Sequence, residues 1–372
     1  MRPAGALRVF MTLDAVGGVW QYGLDLARAL GERGCHTILA LLGPGPSASQ
    51  RREADAIATA TLIDTGLPLD WLCDGPEPVL AAGRAITALA AQTGADIVQL
   101  NMPTLAATVR PPMPTIAVTH GCVATWWEAA HGGAPLDAGY EWHRRLMAQG
   151  LRAVDHIIAP TASYARLVER QYRLPRLPGV VHNGRTPPAW SPRGALHDCA
   201  LTVGRLWDRV KRADLLDRAA SRMAIPFHAA GAVQGPHGER AALEHLHLLG
   251  QIDSDALMLR LAERPVFVSA ASFEPFGLAV LEAANAGCAL VLSDIPGFRE
   301  LWDGAALFVT GDDDAVWARA IETVIHDADR RNRLGHAARN RAARYTPAAM
   351  AEGVWAVFDG LRKGHQQGTA AA

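Results

Sequence analysis

The chain has 372 residues, too many for one ordinary hydrophobic core and suited to two domains of conventional size. Lys plus Arg (36) nearly cancels Asp plus Glu (37), so no global basic field collects nucleic acid or anionic lipid. The five cysteines are dispersed, with no C-x-x-C pair and no zinc spacing, which fits reduced thiols in a cytoplasmic protein; no apolar run reaches membrane-spanning length.

Short apolar strands alternate with amphipathic helices from end to end, the pattern of α/β layering over parallel sheets. In the first half, strands are expected near 7–12, 37–42, 97–100, 115–119 and 156–159, with helices over 19–33 and 78–92. A Pro- and Gly-dense stretch, preceded by a short strand at 180–182, runs from Asn183 to Gly194 and reads as a linker. A second series follows, with strands at 200–203, 227–230, 247–249, 266–269, 289–292 and 307–309. This predicts two Rossmann-like domains, over 1–185 and 195–345, a C-terminal helix over 346–363 and a disordered tail at 364–372.

Asp14 to Trp20 leaves the first strand and opens the first helix, so Gly17 and Gly18 permit a tight turn and close approach of backbone to a ligand. A Gly-Gly turn is also an ordinary way to leave a strand. His120 should end the strand at 115–119, on the edge where α/β folds bind ligands, whereas most of the 14 histidines read as surface or packing residues. Trp126 and Trp127 follow on an expected loop, more readily as cover for a core than as a sugar platform.

In the second half, Val203-Gly204-Arg205-Leu206 ends a strand and Lys211 follows. An Arg and a Lys at that edge can neutralise a pyrophosphate, or simply be solvated cations. Asp312, Asp313 and Asp314 start a helix, and capping explains them without a metal. The densest signal is Ser272 to Ala284. Pro275 and Gly277 break the chain, and Leu278, Leu281 and Ala284 then read as a helix closed by Gly287. Glu274 lies in the loop and Glu282 on the young helix. A helix N-terminus, with unpaired backbone N–H groups and a positive dipole end, suits a phosphate and the carboxylates suit hydroxyls, a combination that points to a nucleotide sugar.

Glu274 and Glu282, with seven residues between them in an EPFGL context, resemble the paired-glutamate motif of retaining glycosyltransferase family 4. Gly204-Arg205-Leu206 with Lys211 resembles the basic motif of that family, although the Arg-to-Lys interval is one residue longer than in the commonest members. Arg209 and Arg212 therefore stand as alternative cations. The resemblance covers essentially the whole chain. It implies the GT-B architecture: two Rossmann-like domains facing each other across a cleft, with a C-terminal helix crossing back to the first.

It further implies Glu282 on the ribose, Glu274 on the donor sugar, Arg205 and Lys211 on the pyrophosphate, and the backbone near Phe276, Gly277 and Leu278 completing the cradle. Gly17 and Gly18 would face the donor phosphates, and His120 the transferred sugar. The implied activity is transfer of a sugar, with retention, from a nucleoside-diphosphate sugar to an acceptor hydroxyl on a glycan, lipid-linked sugar or small metabolite. No metal and no cofactor are expected beyond the nucleotide-sugar co-substrate, nor any nucleic-acid partner. The expected location is cytoplasmic, with at most peripheral contact at the inner face of the membrane. Two alternatives stand beside it: a catalytically silent nucleotide-sugar-binding subunit of the same fold, and a glucan or disaccharide synthase.

Overall fold

The computed structural model describes residues 7–188 and 196–370, with side chains through 363. The later part of the expected linker, 189–194, and the expected domain start at 195 lie outside the described residues. Two compact units emerge: Met1–Glu128 with Gly133–Gly184 and Pro347–Ala372, and Arg185–Thr346 with Ala129–Gly132.

The first unit is built on seven parallel strands: β1 Arg8–Asp14, β2 His36–Leu42, β3 Ala60–Leu67, β4 Ile97–Leu100, β5 Thr115–Val118, β6 His156–Ala159 and β7 Gly179–Val180. Their spatial order is β3-β2-β1-β4-β5-β6-β7. The crossovers carry α1 Gly18–Gly31, α2 Ala48–Asp55, α3 Pro76–Gln92, α4 Val123–Ala130, α5 Glu141–Ala153 and α6 Ala162–Tyr172. Alternation along β1 divides the core: Val9, Met11 and Leu13 point to one face with Trp20 and Leu24, and Phe10 to the other with Ile86 and Val98.

The second unit has six parallel strands: β8 Ala200–Val203, β9 Phe227–Ala230, β10 His247–Gly250, β11 Val266–Ser269, β12 Leu290–Ser293 and β13 Leu307–Val309. Their order is β10-β9-β8-β11-β12-β13. Around them lie α7 Ala213–Ala220, α8 Ser254–Ala262, α9 Leu278–Asn285, α10 Pro296–Trp302, α11 Asp314–His326 and α12 Ala328–Ala342. Val266 and Val268 face one core with Trp317, while Phe267 faces the other with Trp302.

The last helix, α13 Pro347–Ala370, packs within the first unit against α1. Met350, Val354 and Phe358 recur every fourth residue and are essentially fully buried with Trp20, Leu24 and Ala27. Each such side chain gains roughly 1.5–3 kcal/mol by leaving water, enough to hold the chain's end on its first domain. The expected end of this helix at 363 is corrected: the backbone stays helical to Ala370. Extending an existing helix adds one hydrogen bond per residue fixed, and no proline follows Lys363 to stop it. Among the described residues no helix is long and apolar enough to cross a membrane.

Candidate functional site: a basic-acidic pocket at the switch point of the second sheet

In the second sheet β8 lies between β9 and β11, so the crossovers leave β8 and β11 in opposite directions. Open α/β sheets hold ligands at the carboxyl ends of such neighbouring strands, because the diverging loops leave a crevice there. After β8 the chain passes through Gly204 into a tight 3-10 turn, Arg209–Lys211, whose start is capped by the Asp208 carboxylate accepting from the Val210 amide at 3.3 Å. After β11 it runs through Glu274 to Gly277, where α9 begins.

These two loops meet. Lys211 Nζ lies 2.5 Å from Glu274 Oε2, with the side chains 22% and 16% exposed. The pocket around them is lined by Gly204, Lys211, Glu274, Gly277, Ala279 and Val280 among others. Lys211 is one of only two lysines in the chain.

Gly277 takes φ +88°, and a β-carbon there would approach Glu274 Cγ to 3.2 Å, so the residue is glycine for both conformation and space. No side chain caps α9. The amides of Leu278, Ala279 and Val280 have no intrahelical acceptor, and the first α-helical bond is donated by the Leu281 amide to the Gly277 carbonyl at 3.1 Å. The pocket thus combines one ammonium, one carboxylate and the positive end of a helix. Phe276 is 3% exposed and packs edge-on to Tyr345 at 5.8 Å, so its ring belongs to the core and only its backbone is available to the site.

Arg205 and Glu282 are placed differently. Arg205 Nη2 donates to Asp208 Oδ2 at 2.8 Å and its guanidinium sits 5.5 Å from the Trp207 ring centre, outside the pocket lining. Glu282 Oε1 accepts from Arg185 Nε at 2.8 Å and from Nη2 at 2.7 Å, both side chains being 13% exposed. Glu282 is therefore part of a largely desolvated ion pair as well as a candidate ligand for hydroxyls.

The first unit has its own switch point, between β1 and β4. Gly17 and Gly18 lie exposed just beyond β1, and the open turn is held by Asp14 Oδ1, which accepts from the amides of Val16 (2.9 Å) and Gly17 (3.1 Å). His120 follows β5. Its Nε2 lies 3.0 Å from Asn101 Oδ1, and its ring meets Tyr22 edge-on at 4.5 Å. Asn101 Nδ2 donates to the Thr12 carbonyl at 2.6 Å. A carbonyl can only accept, so the nitrogen of the Asn101 amide faces Thr12 and the oxygen faces His120. The hydrogen is therefore on His120 Nε2, and Nδ1 carries the lone pair. Burial pushes the imidazole pKa down to about 3, so the ring is neutral at physiological pH.

The structure brings Lys211, Glu274, Gly277 and the start of α9 into one pocket, leaves Arg205 beside it, ties Glu282 to Arg185, and sets Gly17, Gly18 and His120 in the first unit. Arg209 and Arg212 do not line the pocket. Arg212 pairs with Asp312. Asp313 caps α11 by accepting from the Ala315 amide at 2.8 Å, as the helix-start reading expects. Trp126 and Trp127 lie on α4, not on a loop: the segment from Val123 to Ala130 contains neither Pro nor Gly to stop a helix. Sequence reasoning missed Asn101, Arg185 and Asp208. The only available signal was local, Asp208 preceding a turn; the other two act at long sequence separation.

The geometry defines a two-domain α/β protein with an anion-ready pocket at one switch point. Two family models match it in tandem: Glycosyltransferase Family 4 over residues 16–187 and Glycosyl transferases group 1 over residues 200–341. The chain belongs to this family and has its GT-B fold.

Among curated proteins it is similar to a D-inositol 3-phosphate glycosyltransferase of Stackebrandtia nassauensis, 39% identical over 75 residues, 20% of this chain and 17% of that protein. The match thus spans less than a fifth of that relative's length. Among solved structures, sucrose-phosphate synthase from Thermosynechococcus elongatus superposes with a TM-score of 0.78 at 18% identity, covering 98% of this chain and 100% of that one. Anabaena HepE in complex with UDP-glucose gives 0.71 at 14% identity, covering 95% and 100%. At these identities the superpositions speak to fold.

Proposed function

We propose that the protein transfers a sugar from a nucleoside-diphosphate sugar to an acceptor hydroxyl, with retention of anomeric configuration and without a metal ion. The observation that carries this reading is the Lys211–Glu274 pair beside the uncapped start of α9. The difficult step is separating an anionic diphosphate from a cation-like sugar, so fixed positive charge at the leaving group supplies most of the rate. Lys211 and the amides of Leu278 to Val280 are the groups for that charge. Arg205 lies beside the pocket and joins them if its side chain turns from Asp208.

Glu274 receives the donor sugar and Glu282 the ribose hydroxyls. In the first unit, His120 is the candidate for contact with the transferred sugar: its Nδ1 accepts a hydroxyl proton while Asn101 fixes the ring. Gly17 and Gly18 offer backbone to phosphate. The acceptor is a hydroxyl on a glycan, a lipid-linked sugar or a small metabolite. That a structural neighbour was solved with UDP-glucose supports the donor class.

The test is a panel of UDP-, GDP- and ADP-sugars with candidate hydroxyl acceptors in chelator, with the anomeric proton coupling of the product read by NMR. A product of the donor's own anomeric configuration supports the reading. An inverted product, or turnover that appears only when divalent metal is restored, contradicts it.

A further inference from the structure

The groove between α5 and α6 of the first unit is lined by five arginines, Arg144, Arg145, Arg152, Arg170 and Arg173, with little else beside them. Three are held in place. Arg144 is clamped by Glu141 on its own helix, Arg170 Nη2 donates to Glu128 at 3.0 Å, and Arg152 Nη2 donates to the Tyr172 carbonyl at 2.5 Å. Arg145 and Arg173 are exposed and form no ion pair among the described residues.

Five guanidiniums against the two carboxylates that pair with them leave an excess of three positive charges, in a chain whose net charge is −1. Beside the arginines the groove is lined by Ala148, Gln171 and Tyr172, and the Tyr172 side chain is buried. A groove of this composition does not suit an apolar ligand. Its planar forks match the oxygens of a phosphate group, to which guanidinium binds in bidentate fashion. The backbone at Arg173, the residue that ends α6, is left-handed, with φ +47°.

We infer that this groove is a binding site for a phosphate-bearing ligand, separate from the pocket at Lys211 and independent of the transferase reading. The shared chemistry is a phosphate oxyanion, whether free in solution or presented on a phospholipid headgroup. Attraction of this kind is screened over about 8–10 Å at ordinary ionic strength, so binding weakens as salt rises.

The test uses the full chain carrying Arg205→Ala and Lys211→Ala, so that the pocket in the second unit does not contribute. Inorganic phosphate is titrated by calorimetry. In parallel, the chain is cosedimented with vesicles of phosphatidylglycerol in phosphatidylcholine, and with phosphatidylcholine alone. Adding Arg145→Gln and Arg173→Asn removes the two unpaired charges, and asparagine tolerates the left-handed backbone. Binding is expected in at least one arm, weakened about tenfold by this pair of changes, or about 1.4 kcal/mol.

The control Arg84→Gln, an exposed position on α3, leaves binding unchanged. Saturable binding of phosphate assigns the site to a soluble ligand; binding only to the anionic vesicles assigns it to a headgroup. The inference is overturned if neither probe binds, if the Arg145 and Arg173 changes have no effect, or if Arg84→Gln weakens binding as much.

Discussion

Asn101 stands between the Thr12 carbonyl, 2.6 Å from its Nδ2, and His120 Nε2, 3.0 Å from its Oδ1. One backbone oxygen thereby sets the tautomer of a ring two strands away in the sheet. Gln99 Nε2 reinforces the arrangement, donating to the Tyr22 hydroxyl at 3.1 Å and to Asn101 Oδ1 at 3.3 Å. Nitrogen chemical shifts of His120 are expected to report the Nε2–H form in the intact chain and a mixture of tautomers in Asn101→Ala. Turnover of the variant falls about tenfold, the weight of one hydrogen bond, while nucleoside diphosphate affinity is unchanged. An unaltered tautomer in Asn101→Ala would remove the positioning role.

The same burial makes the fold sensitive to acid. The His120 pKa is about 3 in the folded chain against an ordinary 6.5, so below pH 6.5 the unfolded chain takes up a proton that the folded chain refuses. Stability is therefore full above pH 6.5 and declines as pH falls from 6.5 toward 3, by about 1.4 kcal/mol per pH unit at most for one histidine. Burial shifts His36 and His156 in the same direction. Urea unfolding midpoints should fall across this window, and less steeply in His120→Asn. Equal slopes in the two chains would show that His120 does not carry the effect.

Because Glu274 already neutralises Lys211 at 2.5 Å, it competes with any diphosphate for that ammonium. Glu274→Gln keeps the shape and removes the competing charge. Free nucleoside diphosphate is expected to bind about fivefold more tightly, roughly 1 kcal/mol, while turnover is expected to drop with loss of the carboxylate proposed for the donor sugar. Calorimetry and turnover on the same preparations separate the two effects; weaker diphosphate binding in Glu274→Gln would contradict the competition.

Glu282 has a structural partner in Arg185, so Glu282→Ala does more than remove the carboxylate proposed for the ribose. Breaking a desolvated pair from either side strands a charge and costs about 3 kcal/mol. Single and double changes at Arg185 and Glu282, compared by chemical denaturation, should give a double variant more stable than the sum of the singles predicts. Strict additivity would mean that the pair contributes nothing.

Much of the frame was legible because buried parallel strands are short apolar runs: the strands at 97–100, 156–159, 200–203, 227–230, 266–269 and 307–309 lie where the pattern puts them. β3 escaped notice because it is an edge strand carrying Asp64 and Gly66, with three of its eight residues exposed and none fully buried. α2 escaped because Ala48–Asp55 has no apolar stripe; it is held by the Ser47–Gln50 capping box. In the site, Glu274, Gly277 and Lys211 were readable from chain-breaking residues and charge. Asn101 and Arg185 were not, since their partners lie 19 and 97 residues away and proximity alone pairs them.

The most direct test of the account is calorimetric titration of UDP, GDP and ADP, in chelator, into the intact chain and into Lys211→Ala. One nucleotide is expected to bind the intact chain at a single site without divalent metal, and Lys211→Ala to weaken it at least about tenfold, as loss of a charge-assisted contact to phosphate requires. No binding by any of the three in chelator, or equal affinity in Lys211→Ala, would contradict a metal-free diphosphate site built on Lys211.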